Sequence, residues 1–272
     1  SHYSNDPYWY YLADKYGIYL EDECNIESHE YYYGKESLSH VPEFRDHHVA
    51  RNLEMVHATV NHPSVCIWSL GNEAGPGDNF VDAYKAIKAF DTSRPVQYER
   101  NNDIVDMGSN QYPSIGLTEY IAQGTDKGIK YPFHISEYAH SMGNAVGNLV
   151  DYWNIIESNN FIMGGAIWDW VDQAIYNYTP DGTRYWGYGG DFGDKPNDGM
   201  FCMNGVMRPD LSPKAQYFEV KKIYQNVGVK AVDARMGRIE IFNKNYFEPL
   251  TDYEVRWSLY EDGHPVPALA QQ

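Results

Sequence analysis

Val65-Cys-Ile-Trp-Ser-Leu-Gly-Asn-Glu73 and Phe133-His-Ile-Ser-Glu-Tyr-Ala-His140 are two short apolar stretches that each reach a glutamate. Each is followed by a loop that contains glycine and then by a helical pattern. An apolar run of this length, bounded by turn residues, is typical of a strand that is buried on both faces. Because barrels of such strands carry their functional groups where the strands end, Glu73 and Glu137 are the first candidates for catalysis.

Strand and helix patterns alternate along most of the chain, which predicts a parallel sheet with helical crossovers. Asp6-Pro7 and Gly17 bound a first helix, and Ser212-Pro213 opens a last one that reaches about residue 225. Six complete strands and the tail of another at residues 1–3 are visible, fewer than a closed eight-stranded barrel needs. We therefore expect residues 1–228 to be a (β/α)8 TIM-type barrel that is incomplete at its N-terminus.

The remaining predicted elements follow the same periodicities. Helices are expected at residues 41–61, 79–90 and 145–158, where apolar side chains recur at spacings of three and four. Strands are expected at residues 18–20, 65–73, 95–98, 107–112, 133–137 and 162–168. The stretch 176–210 shows neither pattern and is expected to be irregular.

The pattern changes after residue 228. Apolar and polar side chains alternate from Tyr253 to Tyr260, as in a half-buried antiparallel strand. Glu261-Asp-Gly263 then has the residues of a hairpin turn. We expect residues 229–272 to begin an all-β, immunoglobulin-like sandwich domain that stops before it could close.

The composition narrows the function classes. The chain has 272 residues, which is long enough for a full-sized core. Its formal net charge of −17 argues against nucleic acid or an anionic membrane as the main partner, because both are polyanions. Aromatic residues make up 15% of the chain, which suits either a sugar-binding surface or an aromatic-rich core.

The cysteines and the hydropathy pattern indicate neither a disulfide framework nor a membrane span. Cys24, Cys66 and Cys202 form no zinc-ligand spacing, and we expect them to be reduced. No apolar run approaches the length that crosses a bilayer, and no signal peptide is visible. We expect a cytoplasmic protein, with the periplasm as the alternative.

Two carboxylates that face one pocket can divide the labour of glycoside cleavage. One donates a proton to the leaving oxygen while the other attacks the anomeric carbon. The alternative interpretation of Glu73 and Glu137 is that both are charged strand-end residues in structural salt bridges.

Several residues near the two glutamates are candidates for substrate contacts. The Asn72 amide could hydrogen-bond a sugar 2-hydroxyl or could turn the backbone. His140 follows its strand directly and could bind a hydroxyl or be a structural histidine. Tyr112 could exchange a proton near Glu137, and Trp168 could stack on a sugar ring, although a rim tyrosine and a buried tryptophan are both common.

The polar segment that follows the strand expected at residues 18–20 has two interpretations. Glu27 and His29 are two residues apart, so an extended backbone would point both side chains the same way. With a third carboxylate they could hold Mg²⁺ through oxygen ligands and waters, although histidine is an uncommon ligand for this ion. An ordinary polar loop would explain the same residues.

The sequence also contains a series of long motifs. They are Ser1-His-Tyr3, Asp22-Glu-Cys-Asn-Ile-Glu-Ser-His29, Asn61-His-Pro-Ser-Val65, Trp68-Ser-Leu-Gly-Asn-Glu73, Ser93-Arg-Pro-Val-Gln-Tyr98, Glu137-Tyr-Ala-His-Ser-Met-Gly-Asn144, Trp168-Asp-Trp-Val-Asp-Gln173, Tyr188-Gly-Gly-Asp-Phe-Gly-Asp194, Pro196-Asn-Asp198 and Phe201-Cys-Met-Asn-Gly205. In this order, over about residues 1–226, the series resembles the β-galactosidases of glycoside hydrolase family 2.

The resemblance implies a TIM-type barrel that cleaves terminal β-D-galactosides by a retaining double displacement. It assigns Glu73 as the acid/base and Glu137 as the nucleophile. It implies substrate-binding roles for His2, Asn72, Tyr112, His140 and Trp168. The family's Mg²⁺ ligands match Glu27, His29 and Glu73, and part of its Na⁺ or K⁺ site matches the Phe201 carbonyl and Asn204.

Two alternatives stay open beside a β-galactosidase. One is another enzyme of the family, a β-glucuronidase or a β-mannosidase; the other is a non-catalytic sugar-binding fragment. The family carries a jelly-roll domain and a first sandwich domain before its barrel, so the resemblance leaves open whether residues 1–272 are active alone. We expect the full-length chain to bind β-galactoside saccharides and to form a homo-oligomer.

Overall fold

The computed structural model describes residues 1–266. The backbone forms two compact units, a first one that covers Ser1–Val220 and a second one that begins at Lys221. The expected boundary between a barrel and a sandwich domain after residue 228 stays a prediction.

Helices and strands alternate through the first unit. Its α-helices are α1 (Pro7–Tyr16), α2 (Arg45–Thr59), α3 (Asp78–Phe90), α4 (Ile115–Ala122), α5 (Leu149–Glu157) and α6 (Ala215–Ile223), the last of which reaches the second unit. Its strands are β1 (Leu20–Glu23), β2 (Val65–Ser69), β3 (Val96–Gln97), β4 (Gly108–Gln111), β5 (Phe133–Tyr138), β6 (Ile162–Ile167), β7 (Ile175–Tyr178) and β8 (Arg184–Gly187). The predicted alternation is confirmed.

The first six strands form two parallel three-stranded sheets. The order is β1-β2-β3 in one sheet and β4-β5-β6 in the other, so β2 and β5 are the central strands. These two strands contain the apolar stretches that lead to Glu73 and Glu137. Parallel pairing sends the carboxyl ends of neighbouring strands to the same edge, which brings the residues that follow them together.

Polar side chains from both sheets meet in a shared interior. Gln97 of β3 donates a hydrogen bond of 2.6 Å to Glu21 of β1 and accepts one of 2.7 Å from Ser109 of β4. The His134 ring on β5 lies 2.7 Å from the other carboxylate oxygen of Glu21. Since these residues belong to different sheets, both sheets line one interior.

The apolar core lies between the β1-β2-β3 sheet and the helices α2 and α3. Trp68, Phe80 and Tyr98 are fully buried in it, and the Phe80 and Tyr98 rings stack with centroids 4.1 Å apart. Burying one such side chain stabilises the folded state by about 1.5–3 kcal/mol. This core therefore holds β2, the strand that precedes the loop with Glu73, in place.

A buried ion pair joins the end of α3 to this core. Asp91 pairs with Arg94 at 3.1 Å and accepts a hydrogen bond of 2.9 Å from the Trp68 indole nitrogen. Arg94 also donates a hydrogen bond of 2.6 Å to the carbonyl of Val65, at the start of β2. The pair therefore connects α3 to the strand that leads to Glu73.

Two elements of the first unit were not expected. Helix α4 begins after Ser114, whose side chain accepts a hydrogen bond from the backbone N–H of Leu117 and caps the helix. The stretch 176–210 is not irregular throughout, because β7 and β8 form an antiparallel hairpin in which the Tyr176 and Trp186 rings stack 3.9 Å apart. Such a cross-strand aromatic pair stabilises a hairpin without any alternation of polar and apolar residues.

The second unit contains antiparallel hairpins. β9 (Val227–Asp233) pairs with β10 (Arg238–Asn243), and β11 (Tyr260–Glu261) pairs with β12 (His264–Pro265). The predicted hairpin turn is confirmed, since Asp262 and Gly263 both have positive φ, 47° and 82°, as two-residue turns of this kind require.

The expected strand from Tyr253 to Tyr260 is wrong for most of its length. Only Tyr260 lies in a strand, and Tyr253, Val255, Trp257 and Leu259 are 46–61% exposed. Alternation predicts a strand only where a partner strand and a covering layer are present. The start of a sandwich domain therefore stays a prediction, and residues 267–272 lie outside the described part.

Two further expectations can be compared with the described residues. Cys24, Cys66 and Cys202 are unpaired, as predicted. Within residues 1–266 no helix is both long enough and apolar enough to cross a membrane.

We predict that Asp91→Ala lowers the free energy of unfolding by about 3 kcal/mol, because it removes the buried carboxylate that pairs with Arg94 and accepts the hydrogen bond from the Trp68 indole. Urea unfolding at pH 7 of the full-length protein that contains this chain measures the loss. Asp82→Ala is the matched control: it removes an exposed partner of Arg45, 2.6 Å away, and should change stability by less than about 1 kcal/mol. Equal effects of the two substitutions would contradict the role of the buried pair.

The effect of Asp91→Ala should also depend on pH. Burial alone would raise the pKa of Asp91, but hydrogen bonds from Ser93, Trp68 and Arg94 outweigh it and lower the pKa to about 2. The stabilisation is therefore present above the ordinary pKa of about 4 and is lost as the pH falls towards 2. The difference between the wild type and Asp91→Ala should shrink over that range.

Candidate active site

Glu73 lies in the loop that follows β2, four residues beyond the end of the strand. The loop contains Gly71, where φ is +150° and an added Cβ would lie 2.6 Å from the carbonyl oxygen of Ile26. That carbonyl accepts a hydrogen bond of 2.9 Å from the backbone N–H of Asn72. Glu73 follows with φ of +42°, in the left-handed region that costs a non-glycine residue energy.

The second sheet places three predicted site residues side by side. The backbone N–H of Tyr112 donates a hydrogen bond of 2.7 Å to the carbonyl of Glu137. The N–H of Trp168 donates one of 3.1 Å to the carbonyl of Tyr138. The carboxyl ends of β4, β5 and β6 therefore place Tyr112, Glu137 and Trp168 at one edge of the sheet.

The Glu137 carboxylate is partly buried and accepts hydrogen bonds. Burial raises its pKa, while hydrogen bonds from Tyr112 and Gln111 oppose that shift; the Tyr112 hydroxyl lies 2.8 Å away. Burial and the charge of Glu137 raise the pKa of Tyr112 well above its usual range, so the phenol keeps its proton and stays a donor.

The Glu73 carboxylate has a cationic or imidazole group at each oxygen. Its Oε1 accepts a hydrogen bond of 3.0 Å from Arg100, and its Oε2 lies 2.8 Å from Nδ1 of His29. The backbone N–H of Glu73 donates a hydrogen bond of 3.0 Å to the buried carboxyl of Glu99. Both the backbone and the side chain of Glu73 are thus held in place.

Two residues connect the glutamates, and we refer to Arg100 and Gln111 together as the Arg100–Gln111 bridge. Arg100 donates a hydrogen bond of 2.6 Å to Oε1 of Gln111, and Gln111 donates one of 2.9 Å to Asn72. Gln111 also lies opposite Glu137 in the pairing of β4 with β5. The negative charge of Glu73 also contributes to the raised pKa of Glu137. Glu73 and Glu137 therefore lie near enough to each other for their charges to interact.

His2 lies between two further carboxylates. Its ring nitrogens are each 3.2 Å from an oxygen, one from Glu23 and the other from Glu27. Burial would lower the pKa of His2, but these two carboxylates outweigh it and raise the pKa to about 10. The imidazolium ring also contacts the edge of Trp168, with centroids 4.7 Å apart.

Glu27, His29 and Glu73 form a cluster that could hold a metal ion. Each offers one ligand atom, and the three atoms lie within 4.8 Å of one another. Glu27 also accepts a hydrogen bond from Tyr3. The convergence does not come from an extended backbone, because His29 begins a short 3-10 helix, His29–Tyr31, after Ser28. Two carboxylates and one imidazole suit a divalent cation.

A cavity of about 360 Å³ lies beside Trp168. Phe201 and Asn204 line it together with Trp168, and the side-chain oxygen of Asn204 is buried without a hydrogen-bond partner among the described residues. The His140 ring lies 5.7 Å from the Phe201 ring and 6.2 Å from the Tyr112 ring. Burial lowers the pKa of His140, which favours the neutral ring.

The structure thus brings the predicted site residues into one region, and it adds residues that the sequence did not single out. These are Glu23, Glu99, Arg100 and Gln111. Arg100 and Gln111 follow or end β3 and β4, so the rule that functional groups lie at strand ends would have identified them. Neither belongs to a motif that carries chemistry by its spacing.

Comparison with known proteins identifies relatives over almost the whole chain. A family model described as "Glycosyl hydrolases family 2, TIM barrel domain" matches residues 1–229. The β-galactosidase of Priestia megaterium is 40% identical over 277 residues, 98% of this chain and 26% of that protein. A β-galactosidase of Klebsiella pneumoniae is 40% identical over 281 residues, 98% of this chain and 27% of that protein. The chain spans about a quarter of the length of these relatives.

Solved structures share the fold at lower identity. A β-galacturonidase from Eisenbergiella tayi, bound to galacturonate, gives a TM-score of 0.60 at 22% identity and covers 84% of this chain and 44% of that chain. A β-glucuronidase from Ruminococcus gnavus gives a TM-score of 0.58 at 21% identity, with coverages of 83% and 43%. At such identities the likeness concerns the fold alone.

Proposed function

Because this chain belongs to glycosyl hydrolase family 2 and carries that family's TIM barrel domain, we propose that the full-length protein is a retaining β-galactosidase. The observation that carries the proposal is the proximity of Glu73 and Glu137, whose charges interact and between which the Arg100–Gln111 bridge lies. The relatives that are 40% identical are named β-galactosidases, which supports the choice of sugar.

The first step transfers the galactosyl group to the enzyme. A carboxylate oxygen of Glu137 attacks the anomeric carbon as the glycosidic C–O bond breaks, and Glu73 donates its proton to the leaving oxygen. The Tyr112 hydroxyl, which hydrogen-bonds Glu137, orients the nucleophile and keeps it ionised until the bond forms.

The second step releases the sugar. Glu73, now a carboxylate, removes a proton from a water molecule while the water oxygen attacks the anomeric carbon. The bond between that carbon and Glu137 breaks, and galactose leaves as the β-anomer. Two inversions at one carbon restore the original configuration.

The remaining predicted residues are proposed to bind the sugar. Asn72 lies next to the acid/base and would contact the 2-hydroxyl, a contact that strengthens towards the transition state. Trp168 offers a flat ring beneath the sugar, and its edge is fixed by His2. His140, with a neutral ring between Tyr112 and Phe201, can bind a further hydroxyl.

We further propose that Glu27, His29 and Glu73 hold Mg²⁺. Their ligand atoms converge, and the two carboxylates supply the charge that the cation requires. When bound, the ion would orient the Glu73 carboxyl and add positive charge beside it. The unpartnered Asn204 oxygen and the Phe201 carbonyl fit part of a site for Na⁺ or K⁺.

The charges of the cavity beside Trp168 favour a neutral sugar over a uronic acid. Asp194 and Asp198 line it, and none of the described residues that line it is Lys, Arg or His. A β-glucuronidase has to bind the carboxylate of its substrate, which two aspartates would repel. No observation favours a β-mannosidase. A homo-oligomeric assembly and a cytoplasmic location stay predictions.

We predict that a 2-deoxy-2-fluoro-β-galactoside with an activated leaving group forms a covalent adduct on Glu137. The fluorine slows both steps, and the leaving group keeps the first step fast enough for the intermediate to accumulate. Peptide mass spectrometry of the full-length protein locates the adduct, and Glu137→Gln is the control that should show none. An adduct on another residue would refute the assignment, and galactose binding without any turnover would indicate a sugar-binding protein.

We predict that Mg²⁺ raises the thermal stability of metal-free protein through the Glu27–His29–Glu73 cluster. A ligand at 100 times its Kd stabilises the folded state by about 2.7 kcal/mol. Glu27→Gln should remove most of the Mg²⁺-dependent shift in Tm, whereas Glu43→Gln, an exposed glutamate outside the cluster, should leave it unchanged. An identical shift in both variants would place the ion elsewhere.

A further inference from the structure

Arg100 contacts polar side chains along one edge of its guanidinium group and an aromatic ring on one face. It donates to Glu73 at 3.0 Å and to Gln111 at 2.6 Å, and its Nε lies 3.1 Å from Glu99. The guanidinium also lies over the Tyr33 ring, 4.5 Å from its centroid. A planar guanidinium that is stacked on one face and bonded at its edge has little freedom to rotate.

One nitrogen of Arg100 makes both of the bonds that matter here. Nη2 carries two hydrogens, and it donates to Oε1 of Glu73 and to Oε1 of Gln111. The amide nitrogen of Gln111 in turn donates to Asn72, and Gln111 lies opposite Glu137 in the pairing of β4 with β5. Hydrogen bonds therefore connect Glu73 through Arg100 to the residue that lies beside Glu137 in the sheet.

Glu73 needs such a fixed donor. It lies in a loop, its φ of +42° is unfavourable for glutamate, and its charge is repelled by Glu137 nearby. His29 holds Oε2 at 2.8 Å, and Arg100 is the donor that holds Oε1. Without Arg100, repulsion would turn the carboxylate away from the leaving oxygen.

We propose that Arg100 is a positioning residue, which through Gln111 sets the acid/base Glu73 at a fixed distance from the nucleophile Glu137. This inference rests on the proposed function. The competing explanation is that Arg100 only holds the buried side chain of Glu99 in place, which would be a structural role. The two explanations differ in the step that they affect.

The test is the dependence of kcat/KM on the leaving group, measured with a series of aryl β-galactosides. Proton donation by Glu73 matters for poor leaving groups and little for activated ones, because an activated phenolate departs without a proton. In the full-length protein, Arg100→Gln should lower kcat/KM about 10- to 100-fold for the poorest leaving group, as a misplaced catalytic group does. For the most activated substrate the loss should be only a few fold.

Arg100→Lys is the conservative variant. It keeps the charge next to Glu73 and Glu99, but one ammonium cannot contact Glu73, Gln111 and Glu99 in the geometry of the guanidinium. Its leaving-group dependence should lie between those of the wild type and Arg100→Gln. If Arg100→Gln does not fold, Arg100→Lys decides alone, and a dependence equal to that of the wild type would overturn the proposal.

Two other arginines provide controls. Arg45→Gln alters an exposed ion pair with Asp82 and should leave kcat/KM unchanged for every substrate. Arg94→Gln removes a buried structural pair and should lower Tm without changing the leaving-group dependence. An Arg100→Gln variant that behaves like Arg94→Gln, with an equal loss for all substrates, would overturn the proposal. If the wild type hydrolyses no β-galactoside at all, the proposed function fails instead.

Discussion

Repulsion between carboxylates is the constraint on which this site depends. Two unit charges about 4 Å apart repel each other by roughly 4 kcal/mol at the effective dielectric of a protein surface. Four carboxyl groups lie around the site, namely those of Glu23, Glu27, Glu73 and Glu137, whereas burial raises the pKa of the neighbouring Glu99 to about 8. His2, Arg100 and Tyr112 compensate them through charge or hydrogen bonds, and a bound divalent cation would add two positive charges at Glu27 and Glu73. Their arrangement, more than the glutamates themselves, makes the site possible.

Part of the energetic cost of this arrangement lies in unfavourable backbone conformations. Glu73, Tyr112 and Ala139 all have φ near +40° to +50°, and each lies where a parallel strand gives way to a loop. Such conformations cost about 1–3 kcal/mol each and persist only where the surrounding structure holds them. Here the buried core below β2, and the interstrand hydrogen bonds of β4, β5 and β6, do so. Gly71 serves the same end, because only a residue without a side chain can approach the Ile26 carbonyl so closely.

The sequence predicted the features that depend on burial and missed those that depend on spatial neighbours. The strands β2 and β5 were clear because each is a short, largely apolar run that is bounded by turn residues. The alternation of apolar and polar residues from Tyr253 to Tyr260 gave a wrong prediction, since no strand pairs with most of that segment among the described residues. The hairpin of β7 and β8 went unnoticed because it relies on the stacked pair of Tyr176 and Trp186. The Arg100–Gln111 bridge could not be predicted from spacing, as its partners lie on different strands and meet only once both sheets have formed.

The central claim is that Glu73 and Glu137 act together in two successive displacements at one carbon. The stereochemistry of the first-formed product tests it most directly, by proton NMR of an activated β-galactoside during its first seconds of hydrolysis by the full-length protein. The account predicts that β-galactose appears first and that the α-anomer grows in only by slow mutarotation. If α-galactose appeared first, a water molecule would have to attack in a single step between more widely separated carboxylates, and the account would be contradicted.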